Sequence, residues 1–132
     1  MSAYQTYQHN QIQGASPLGL VLLTYEALNK ALGGASAAIT SGDIQGEAHC
    51  TSIAIEALID LSSSLDMQAG GAVAQSLVSL YVYMINRLHD GMCSGSAEHL
   101  EEVARLAGEL REAWMNLPDQ QPQPLKMVNS AG

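Results

Sequence analysis

Four stretches of this chain set apolar residues three and four apart, and helix-capping residues punctuate them. Leu18, Val21, Leu22, Tyr25, Leu28, Leu32, Ala35 and Ile39 make the first stripe. Ser16-Pro17 opens it, with Ser as N-cap and Pro at the first helical position. Ser41-Gly42 stops it, and Asp43 is placed to cap the next helix. The second stripe holds Ile44, Ala48, Ile55, Leu58, Ile59 and Leu65. Asp66 to Gly71, with two glycines, reads as a connection. The third stripe is Val73, Leu77, Leu80, Tyr81, Met84 and Leu88. Gly91 to Ser96 reads as a loop with Ser96 as a candidate cap. The fourth is Leu100, Val103, Ala107, Leu110, Trp114 and Leu117, closed by Pro118. Glu98, Glu101 and Glu102 fall in or near its first turn, where the helix dipole favours acids. Gly33-Gly34 inside the first stripe costs roughly 1 kcal/mol per Gly, so close helix packing or a kink is expected there.

Helices of about 20 residues span about 30 Å, the size of a small domain. Joined by short connections, they predict an all-α, antiparallel up-down-up-down four-helix bundle over residues 16–117. An N-terminal arm, residues 1–15, precedes it; it has four Gln, two Tyr and no Asp, Glu, Lys or Arg. Residues 118–132, with three Pro and three Gln, read as a disordered tail. The 132 residues suffice for one domain. Phe is absent, so Leu, Ile, Val, Ala and Met must build the core. These residues suit helices better than sheets.

The net charge of −8 argues against nucleic-acid binding, which needs Lys and Arg to neutralise phosphates. Met67–Asn86 is free of charge over nearly a membrane span, but its Gln, Gly, Ser and Asn residues make it amphipathic rather than membrane-inserting. No signal-peptide pattern opens the chain, and Cys50 and Cys93 make no disulfide framework. A soluble cytosolic protein is the expectation.

Enzyme motifs are missing: there is no P-loop, GxGxxG, HExxH or GxSxG. The Glu-x-x-His spacing of metal-binding bundles is missing too. In an antiparallel bundle, His49, Cys50, His89, Cys93 and His99 all fall near one end. Zinc accepts such ligands, but no CxxC or HxxxH clip is present, so the ordinary reading is topological coincidence and no metal or other cofactor is expected. A Cys50–Cys93 disulfide is disfavoured in a reducing cytosol.

The third helix is the most informative. Its first apolar face spans roughly 100°, and Ala74, Val78, Val82, Ile85 and Met92 extend it by about another 100°. Such an arc exceeds what one core needs. Neighbouring helices cover it, or part of it is a groove for a partner. In the first face, Leu77, Leu80, Tyr81, Met84 and Leu88 are expected to be core; Val78, Val82 and Ile85 are the candidate contact residues.

Four segments carry a family resemblance: AYQTYQ (Ala3–Gln8), ASPLGLVLLTYEAL (Ala15–Leu28), LYVYMINRL (Leu80–Leu88) and EEVARLAGELREAW (Glu101–Trp114). In this order and spacing the chain resembles the bacterial flagellin export chaperones, the FliS family, over roughly residues 3–117. The resemblance implies a cytosolic helical bundle without enzymatic activity. It also implies binding of the C-terminal segment of flagellin, prevention of premature polymerisation, and delivery to the flagellar type III export gate. It places the arm, with Tyr4 and Tyr7, near the client groove. Three positions depart from the family pattern. Val82 stands where an acid is usual, Asn86 where a second base is usual, and Ala104 where an acid is usual. The resting state is expected to be a monomer or weak homodimer. The competing reading is a small self-assembling or metal-binding structural bundle.

Overall fold

A computed structural model describes residues 16–116 of the chain. They form four helices: α1 (Pro17–Ser41), α2 (Ile44–Ser63), α3 (Met67–Gly91) and α4 (Glu98–Met115). Each packs on its neighbours around a ring, α1 on α2, α2 on α3, α3 on α4 and α4 on α1. Short connections make successive helices antiparallel, as the four stripes predict. Among the described residues no helix is long and apolar enough to cross a membrane.

The caps explain the boundaries. Ser16 Oγ accepts from Gly19 N at 3.0 Å, and Pro17 follows at the first helical position. Gly42 ends α1 in the left-handed conformation, φ 74°, which glycine adopts without a Cβ clash. Asp43 then caps α2 by accepting from Gly46 N at 2.9 Å. Gly33-Gly34 introduces no break in α1; a Cβ on Gly34 would lie 2.8 Å from Cys50 Sγ, so that glycine permits close α1–α2 packing. Before α4 the N-cap position is Ala97, although Ser96 Oγ still accepts from Glu98 N at 3.2 Å.

Asp66–Gly71 is a helix start rather than a connection. Asp66 Oδ1 accepts from both Gln68 N and Ala69 N, so α3 begins at Met67. Gly71 then breaks the helix with φ 52° and ψ −129°, a conformation open to Gly and not to residues with a Cβ. The glycine is therefore a kink inside α3.

The core runs along the bundle axis. Val21, Tyr25, Leu28, Leu32, Leu58, Leu61, Tyr81, Met84, Leu88, Leu100, Val103 and Trp114 are buried in it. Burying each large apolar side chain contributes about 1.5–3 kcal/mol. α1 and α4 turn the stripes their sequences predict toward the core: Val21, Tyr25, Leu28, Leu32, Ala35, Leu100, Val103, Ala107 and Trp114 are buried, Leu18, Leu22, Ile39 and Leu110 half-buried, and Leu117 lies outside the described residues. α2 does not: Ile44 and Ile59 are exposed, and its inner side is Glu47, Thr51, Ala54, Ala57, Leu58 and Leu61. α3 is rotated from the expected position. Ala74, expected on the flank, is fully buried, while Val73 is 59% exposed and Leu77 and Leu80 are half-buried.

Candidate functional site

The two flanks of α3 are built differently. Val73, Leu80 and Arg87 recur every seven residues on one flank, and Arg87 Nε donates to Glu102 Oε1 of α4 at 2.7 Å. Tyr83 O–H donates to the other oxygen of the same carboxylate. Glu102 thus ties α3 to α4 at two points. The bonds shift the proton affinities of all three groups. The Tyr83 and Arg87 bonds hold the Glu102 carboxyl below its ordinary range, and Glu102 pushes Tyr83 and Arg87 up. This flank is closed by polar side chains.

The opposite flank faces α2 and carries no such bonds in the structure. Val78 lines a cleft of about 530 Å³ together with Ser62, Ser63, Leu65, Asp66, Met67 and Gln68. Ile55, Ile59 and Ser62 lie four and three apart on α2, so the same face of α2 looks toward α3. The other face of α2 meets α1 through Cys50 at Gly34. Stepping along the antiparallel pair from Ser63 and Val78 brings Ile59 level with Val82 and Ile55 level with Ile85. Ile55, Val78 and Ile85 are half-buried against the core. Ile59 and Val82 stand proud of them, 50% and 47% exposed. This register makes the α2–α3 flank a candidate apolar groove, with the half-buried residues lower and Ile59 and Val82 prouder. Of the three α3 residues singled out from sequence, Val78 lines the cleft, Ile85 is half-buried and Val82 is exposed. Ile55 and Ile59, the facing wall, were assigned to the core stripe of α2 instead. The signal that separates them is their offset from Thr51, Ala54 and Leu58, the smaller residues that make the inner side. Tyr4 and Tyr7 lie outside the described residues.

A second feature, unexpected from sequence, fixes α3 beneath this groove. Tyr25 and Tyr81 hydroxyls meet at 2.7 Å inside the core. They bridge α1 and α3, which lie diagonally across the bundle. Burial pushes both phenols well up, so both are neutral. The Trp114 indole is close enough to draw both down slightly, yet its N–H meets neither hydroxyl at hydrogen-bonding geometry.

The His and Cys residues at the far end do not converge on one point. Among the described residues no three His, Cys, Asp or Glu side chains are placed to hold a metal. His49 and His89 are exposed, Cys50 is half-buried at Gly34, and Cys93 is exposed at φ 65°. Both cysteines are free thiols. His99 is 1% exposed, and Gly91 is its packing partner: a Cβ there would fall 2.1 Å from the ring. Burial and the Arg87 charge pull the His99 pKa down, with Glu47 pulling it up. Buried Glu47 accepts from Cys93 N at 3.0 Å and so anchors the α3–α4 loop to the start of α2. These residues close one end of the bundle.

Exposed aliphatic side chains along two helices of an all-α bundle are the kind of surface that receives an extended or helical segment. The chain matches the family described as Flagellar protein FliS over residues 1–121. It is 33% identical over 115 residues to the flagellar secretion chaperone FliS of Salmonella typhimurium, covering 86% of this chain and 84% of that one. The FliS of Campylobacter jejuni is 30% identical over 112 residues, 85% of this chain and 88% of the relative. That of Vibrio cholerae is 29% identical over 110 residues, 83% and 80% of the two chains. The chain belongs to the FliS family, a family of chaperones and not of enzymes.

Proposed function

We propose that this protein is a cytosolic export chaperone that holds the C-terminal segment of flagellin in the α2–α3 groove. Held there, the segment is kept from polymerising until it is delivered to the flagellar type III export gate. The observation that carries this reading is the placement of spare apolar surface. Ile44, Ile53, Ile59, Met67, Val73, Val82 and Tyr83, all on α2 and α3, are large and exposed, against Met115 alone elsewhere among the described residues. A segment that folds as it binds loses ordering entropy, which several shallow apolar contacts offset better than one deep pocket. Val78, Val82 and Ile85 supply those contacts from α3, and Ile55 and Ile59 supply them from α2. Val82 makes the rim more apolar than the acid usual at that position in the family. The arm bearing Tyr4 and Tyr7 covers the groove when no client is present.

The test is calorimetric titration of the full chain with a flagellin C-terminal fragment. Saturable binding that strengthens or weakens on deletion of residues 2–12, with the melting temperature little changed, is the expected result. Absence of binding, or a deletion variant that unfolds, contradicts the reading.

A further inference from the structure

We infer that the segment Leu125–Val128 of this chain docks in the cleft at the α2–α3 turn, as an intramolecular strap. The cleft holds about 530 Å³ and is walled by Leu65, Met67 and Val78 with Asp66 at its edge. Met67 is 44% exposed there. Asp66 spends only Oδ1 on capping α3, since both bonds from Gln68 N and Ala69 N end on that oxygen. Oδ2 is left to meet a cation. An occupant with apolar side chains and one positive charge complements this cleft. Residues 125–128 read Leu-Lys-Met-Val, three apolar side chains around one lysine. Residues 1–15 offer no Lys or Arg at all.

The chain leaves the bundle at the same end as the cleft, across α3 from it. Glu102 bonds Tyr83 and Arg87, so it lies level with Ile85. Fourteen residues further along α4 is Asn116, and fourteen back along α3 is Gly71, one turn from the cleft. The path between is apolar. Met115 is 55% exposed at the end of α4, and Val73, on the α4 flank of α3, is 59% exposed. Asn116 to Leu125 is nine residues, with prolines at 118, 122 and 124. At about 3.1 Å per residue for a proline-rich spacer this reaches about 28 Å, ample to cross one helix and enter the cleft. Neighbouring helix axes lie only about 9 Å apart. Val78 belongs both to this cleft and to the proposed groove, so strap and client meet there; the test below is made without client and does not rest on the groove's occupant.

Backbone amide NMR of the full chain tests it, comparing the native sequence with Leu125→Asp/Val128→Asp. The substitutions lie beyond α4, and far-UV circular dichroism confirms an unchanged helix content. Shift changes at residues 62–68 and at Val78, unaltered on tenfold dilution, are expected. In a second variant, Lys126→Glu, the amides of Asp66–Ala69 move. Silent cleft amides in the double variant overturn the proposal. So do changes that scale with protein concentration, which assign the cleft to a second copy, and changes that appear only when residues 1–15 are altered.

Discussion

Helices α1 and α4 leave one large apolar side chain exposed, Met115, whereas α2 and α3 carry many of theirs on the surface. On α1, Val21, Tyr25, Leu28 and Leu32 are at most 2% exposed. On α2, the inner positions include Glu47, Thr51, Ala54 and Ala57, and the isoleucines at 44, 53 and 59 look outward. Small residues inside let α2 approach α1 closely, as Cys50 does at Gly34. The large ones outside lie at least 40% exposed and add less buried area to the core. One half of the bundle is thus organised for stability, and the other keeps apolar surface in reserve. On the function proposed above, this difference suits a chaperone: apolar surface free for a client, and a core that does not depend on its occupant.

The largest expected effect lies in the core. Leu88→Ala removes a fully buried side chain and is expected to cost about 2–5 kcal/mol in urea or thermal melts. Leu80→Ala, at a half-buried position, is expected to cost less. Equal losses would show that α3 has no inner and outer sides and would break the comparison.

Next comes the bond that joins the two halves. Tyr25→Phe or Tyr81→Phe leaves one buried hydroxyl without its partner and is expected to cost about 1–3 kcal/mol. The double variant, with no orphaned hydroxyl, is expected to cost less than the sum of the singles. A double-mutant cycle by chemical denaturation measures the coupling. Strict additivity would mean that the pair does not act as one contact.

A smaller effect is set by pH. Burial holds the His99 pKa below its unfolded value of about 6.5, so the unfolded chain takes up the proton first. The stability contributed by neutral His99 is complete above about pH 6.5 and is lost as pH falls through the lower, folded value. Arg87 sharpens the loss and Glu47 blunts it. Glu102 is shifted down from an already acidic range, so it titrates below this window. Melts between pH 7.5 and 5.5 are expected to fall for the native protein and to flatten for His99→Gln. Identical slopes would remove His99 as the cause.

Much of this was readable in the sequence where one stripe is apolar and everything else is polar. α4 is that case: Leu100, Val103, Ala107 and Trp114 are buried as their spacing demands. α3 is the opposite case. An apolar arc of about 200° fixes a helix but not its rotation, so Val73 and Ala74 exchanged roles. Asp66 was hidden by the glycines beside it, although Asp is a favoured N-cap. The tyrosine pair joins residues 56 apart, and no local pattern encodes such a partner. The groove was half legible. The apolar excess of α3 showed on its flank, while on α2 Ile59, which is exposed, was assigned to the core stripe because large isoleucines outweigh alanines in any hydrophobic stripe.

The central claim is that the reserve of apolar surface between α2 and α3 is where flagellin lies. Calorimetric titration with a flagellin C-terminal fragment tests it through paired substitutions. Ile59→Asp, on the groove rim, and Ile85→Asp, on its floor, are compared with Ile53→Asp, which is 40% exposed on a different side of α2. The rim variant is expected to keep its stability within about 0.5 kcal/mol and to bind more than tenfold weaker, a loss of about 1.4 kcal/mol or more. Ile85→Asp is expected to weaken binding at least as much, and Ile53→Asp to bind like the native protein. Undiminished binding by a folded Ile59→Asp variant, or an equal loss in Ile53→Asp, would place the client elsewhere and contradict the account.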